Sequence, residues 1–123
     1  MEREGIGMKE AADVLAESRE YLEEHGWCRG TMQDFCGHVC AMGAICYSQD
    51  WVGKTLTPFE MGLFKTVCEA VITEITKSYV GKYQVFPMAI PDWNDRFVTG
   101  QRAVLDVFMA AEKQLRSGNV EES

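Results

Sequence analysis

The sequence predicts a mostly α fold: a single small domain of about four helices with two long irregular connections and room for a minor β-hairpin. Three observations carry this expectation. Apolar residues recur at helical spacing over long stretches. Recognisable caps flank several of these stretches. The 123 residues, 46% of them hydrophobic, suffice for one core. The domain is expected to span residues 1–123, with 1–7 and 117–123 frayed at the ends.

The first helix is predicted from about Met8 to Glu24. Ala11, Leu15, Ser18 and Leu22 follow one face, with Val14 and Tyr21 beside them, and Gly26 supplies a left-handed stop. The stretch "WCRGTMQDFCG" has two glycines and no period, and is the place for a short hairpin. "HVCAMGAICYSQD" reads as a second, short helix beginning near Val39, which puts Cys40 in its first turn. The third helix is the clearest. Thr57 is its N-cap, Pro58 its first residue, and Glu60 completes a capping box. Phe59, Leu63, Val67, Ala70, Val71, Ile75 and Tyr79 form its apolar stripe. "GKYQVFPMAIPDWNDRF", with two prolines, is expected to run extended over the surface. The last helix is predicted from about Thr99, its N-cap, to Arg116, with Gly118 after its end. Ala103, Val104, Val107, Phe108, Ala111 and Leu115 face inward.

Charge narrows the function classes. The net charge is −7 and the pI about 4.8, so the surface repels phosphate backbones and nucleic acid is not an expected partner. No apolar run approaches the roughly 20 residues of a membrane helix. The N-terminus has acids where a signal peptide needs basic and apolar stretches, which points to the cytoplasm. Thiols stay reduced there, and five cysteines is an odd count, so a disulfide framework is not expected.

Four cysteines and both histidines fall in residues 25–51. Cys28, Cys36, His38, Cys40 and Cys46 offer ligand types for zinc, but only Cys36 and Cys40 have a pair spacing and no second pair stands at a distance. No structural metal and no cofactor is therefore expected. A reactive thiol is the second reading: Cys40 at a helix start would have a lowered pKa, with His38 as a base. Packing is the favoured third. Cys40, Gly43, Ala44 and Tyr47 share a helix face, and small residues there let another segment approach closely.

An acidic stripe is expected on the first helix. Glu10, Asp13, Glu17, Glu20 and Glu24 recur at alternating steps of three and four, and the first 24 residues carry eight acids against three bases. This is a solvated face or a partner face for a basic surface.

Three segments, "GWCRG" at 26–30, "GHVCAMGAI" at 37–45 and "IPDWNDRFVTGQRAVLDVFMAAEKQL" at 90–115, together resemble a family of small uncharacterised proteins of actinobacteria and their phages. The resemblance singles out Gly26, Trp27, Gly30, Cys40, Gly43, Ala44, Trp93, Asn94 and Asp95. It departs in the last helix, where Gln101 and Arg102 follow Thr99 in place of an acid and no capping box forms. Its implied setting is a phage-encoded protein acting on a host component.

Two functional readings follow. The first is a non-catalytic binding protein whose partner is a protein or a small ligand, with oligomer formation left open. Trp27, Cys40, Trp93, Asn94 and Asp95 are expected to meet in space, either as a structural centre or as a pocket with two indole walls. The alternative is a thiol-dependent enzyme using Cys40, or a small zinc-binding module.

Overall fold

The structure, a computed structural model, describes the backbone of residues 2–79 and 90–122 and the side chains of residues 10–77 and 90–117. The described chain is mostly α, with five helices: α1 (Glu2–His25), α2 (Ala41–Ser48), α3 (Pro58–Tyr79), α4 (Ile90–Arg96) and α5 (Gln101–Glu122). The fold class predicted from periodicity is the observed one. No helix of the described residues is long and apolar enough to cross a membrane.

α1 lies at the centre of the bundle and packs against α5, α2 and α3, while α4 closes one end against α2 and α3. Its inward stripe is the predicted one: Ala11, Val14, Leu15, Ser18 and Leu22 are all buried. Ser18 offsets its burial by donating to the Val14 carbonyl at 2.7 Å, and its hydroxyl lies 3.4 Å from that of Ser48 on α2. Gly26 ends the helix at φ +92°, its N–H bonded to the Leu22 carbonyl at 2.8 Å. The capping box of α3 is formed in both directions. Glu60 N–H donates to Thr57 Oγ1 at 3.1 Å, and Thr57 N–H donates to Glu60 Oε1 at 2.9 Å. That second bond holds the Glu60 carboxyl below its usual range.

Several expectations are corrected. Residues 90–96 are helical rather than extended. Pro91 is tolerated there because the first turn of a helix needs no N–H. Residues 81–89 of that predicted connection lie outside the described residues. α2 begins at Ala41, and Cys40 is its N-cap with extended backbone (ψ 179°), not a first-turn residue. α5 begins at Gln101 rather than Thr99 and continues through Gly118. A glycine stops a helix only where it turns left-handed, as Gly26 does. Phe59 is 55% exposed and leaves the predicted stripe, whereas Leu63, Val67, Ala70, Val71 and Ile75 are buried. It stands in the first turn, before α3 enters the bundle. The expected hairpin is reduced, among the described residues, to two isolated bridges, Trp27 with Val39 and Gln33 with Val39.

Candidate functional site

The loop from Gly26 to Cys40 returns on itself between α1 and α2. Val39 N–H donates to Gly26 O at 2.8 Å and Cys28 N–H to Val39 O at 3.0 Å. The outer strand of the loop is pressed onto α2, where Cys40 N–H meets Met32 O at 3.1 Å. A Cβ on Gly43 would stand 2.2 Å from that same carbonyl. The small-residue face read from the sequence therefore admits a backbone segment, which only glycine allows.

Asn94 joins this loop to α4. Its side chain is fully buried and uses both ends. Oδ1 accepts from Trp27 Nε1 at 2.7 Å and from Ala41 N–H at 3.0 Å. Nδ2 donates to Cys28 O at 3.2 Å and to Asp95 Oδ1 at 3.0 Å. Asp95 Oδ1 also accepts from Gly30 N–H at 2.9 Å. The Gly30 N–H, then the Asn94 amide, hold the Asp95 carboxyl below its ordinary range, so it is ionised at neutral pH.

A cleft of about 170 Å³ opens beside this knot, lined by Gly30, Thr31, Met32, Cys40, Met42, Pro91 and Asp95. The predicted group is thus brought together in part. Trp27, Cys40, Asn94 and Asp95 converge. Trp93 faces the core, fully buried, with no hydrogen-bond partner for Nε1 among the described residues. Neither indole lines the cleft, so the two-walled aromatic pocket is replaced by methionine and proline walls. Trp27 lies under the Arg29 guanidinium, 5.1 Å from the ring centre, and Arg29 also donates to Val98 O.

Cys40 does not have the surroundings of a nucleophile. It is 4% exposed, its sulfur accepts from Gly43 N–H at 3.3 Å, and burial pushes its thiol up rather than down. His38 is engaged elsewhere: Nδ1 sits 2.9 Å from Asp34 Oδ2. The helix start is also occupied, with Ala41 N–H on Asn94 and Gly43 N–H on Cys40, which leaves little for an anion. All five cysteines are free thiols.

The acidic stripe of α1 is divided. Asp13, Glu17, Glu20 and Glu24 are exposed and Glu10 half-buried. Asp13 pairs with Arg116 of α5 at 3.2 Å, and Glu17 accepts from Gln49 at 2.6 Å. An open groove of about 490 Å³ along α1 and α5 includes Arg19 and Arg116, both already paired with Glu112.

Sequence reasoning missed one group. Asp34, Cys36 and His38 each present a ligand atom within 4.8 Å of the others. In the sequence Cys36 and His38 stand among other cysteines, and the signal is the alternating D-x-C-x-H of residues 34–38.

No curated protein and no solved structure matches the chain. A family model does, over residues 7–114, a span that contains Trp27, Cys40 and the Trp93-Asn94-Asp95 turn. The chain belongs to DUF6197, a family of unknown function.

Proposed function

We propose that the protein is a non-catalytic interaction module that receives a basic side chain of a partner protein in the cleft beside Asp95. One observation carries this reading: a fixed, ionised carboxylate stands at the mouth of a small apolar cleft. Its Oδ1 is held by Gly30 and Asn94, while Oδ2 has no hydrogen-bond partner among the described residues. Met32, Met42 and Pro91 suit the methylene stem of a lysine or arginine, and Asp95 suits its head. Methionine walls also adapt to more than one shape. The net charge of −7 favours encounter with a basic surface. The protected thiol of Cys40 supports binding over thiol chemistry. In keeping with the resemblance to actinobacterial and phage proteins, the proposed setting is the cytoplasm of a bacterial host, with the protein phage-encoded.

Asp95→Asn tests this reading. The amide keeps an Oδ1 acceptor for Gly30 N–H and removes the charge. Proteins crosslinked to the wild type in host cytoplasm are expected to be lost from the variant, with the melting temperature nearly unchanged. An identical set captured by both would defeat the proposal.

A further inference from the structure

We propose that the loop 34–38 is a reversible, surface-exposed site for a zinc-like divalent transition metal, held by Asp34, Cys36 and His38. The inference does not depend on the Asp95 cleft. Backbone bonds already build the turn: Gly37 N–H donates to Asp34 O at 3.1 Å and Asp34 N–H to His38 O at 3.0 Å. Asp34 Oδ1 completes it by accepting from the N–H groups of Cys36 and His38, both at 2.9 Å. The turn therefore needs neither a thiol at 36 nor an imidazole at 38. Yet His38 Nδ1 meets the remaining carboxylate oxygen, and a ligand atom from each of Asp34, Cys36 and His38 lies within 4.8 Å of the others.

The geometry suits coordination. Asp34 Oδ2 and His38 Nδ1 are 2.9 Å apart. Opening that pair to about 3.4 Å gives the tetrahedral angle between two ligands each about 2.1 Å from one ion. Cys36 is exposed and can swing its sulfur in. The ring edge of His38 packs beside Gly26, where an added Cβ would meet Cδ2 at 2.5 Å, and its Nδ1 is oriented by Asp34. A thiolate, an imidazole and a carboxylate select zinc, cobalt or nickel over magnesium or calcium, which prefer all-oxygen shells. Binding forms a metal–sulfur bond and releases the thiol proton to solvent. The imidazole proton moves from Nδ1 to Nε2 through water, with no net change. Three ligands from one short loop leave a position for water, so the ion exchanges and the fold does not require it.

Cobalt(II) is the probe, titrated into tag-free reduced protein and read by its thiolate-to-metal charge-transfer absorption. One cobalt per chain is expected, displaced by zinc. Cys36→Ser should abolish the band, and Cys28→Ser should keep it. His38→Asn, which retains a donor to Asp34, and Asp34→Asn, which retains Oδ1 for the turn, should weaken binding by roughly 10–100-fold. Circular dichroism should show unchanged helicity in each variant. Absence of the band in the wild type, its survival in Cys36→Ser, its loss in Cys28→Ser, or one cobalt per two chains would overturn the site.

Discussion

Asn94 is the residue on which the non-helical part of the molecule depends. From the sequence it reads as a short polar side chain that fixes a turn. The reason it does more lies in its partners, 53–67 residues away, which no local pattern encodes. Removing it strands the buried N–H of Ala41 and the indole N–H of Trp27 together. Asn94→Ala should therefore cost about 2–4 kcal/mol in denaturant unfolding, above the cost of a single lost cap. A loss under about 1 kcal/mol would mean that water or a rearranged loop replaces the amide. Asp34 was illegible for a different reason. Zinc spacing rules look for paired thiols and imidazoles, and an aspartate that also caps its own turn resembles ordinary loop chemistry.

At the scale of elements, the helices with long apolar stripes were legible and the short ones were not. α1 and α3 announce themselves through stripes and caps, and the α3 capping box forms between the residues that spelled it. α4 was hidden because two prolines and a run of polar residues look like a surface connection. Its burial comes from Ile90, Trp93 and Asn94, too few positions to show a period. α2 was found but misplaced by two residues, because Cys is an uncommon N-cap and its sulfur substitutes for the usual oxygen. The face of α2 gives a direct test. Gly43→Ala places a methyl group against the Met32 carbonyl, a backbone atom that cannot rotate away. Loss of about 1–3 kcal/mol is expected, although alanine is the better helix former. An increase in melting temperature would show that the loop moves aside freely.

For the whole molecule, the thiols set an alkaline limit. Burial pushes Cys40 up, Cys46 to about 11 and Cys68 to about 12; Cys28 is raised by burial and then by the charge of Asp34. In the unfolded chain these thiols ionise near about 8.5. Above that pH the unfolded state loses protons that the folded state keeps, so stability declines as pH rises toward the folded values. Below it the contribution is fully present. Equilibrium unfolding should show this decline, and a Cys46→Ala/Cys68→Ala double variant should show a shallower one. Equal slopes would place the alkaline sensitivity elsewhere.

The Asn94 knot also has a consequence for time. It ties chain segments that meet only after α1, α2 and α4 have been brought together, so closing it requires large loops to be ordered first. The expectation is that the knot closes late, after the barrier to folding has been crossed. Asn94→Ala should then leave the refolding rate almost unchanged and place nearly all its effect on faster unfolding. One buried amide would thus act as a latch, governing how long the native state lasts more than how quickly it is reached. Stopped-flow folding and unfolding limbs measure this directly, and a slowed refolding limb would instead put the knot in the nucleus.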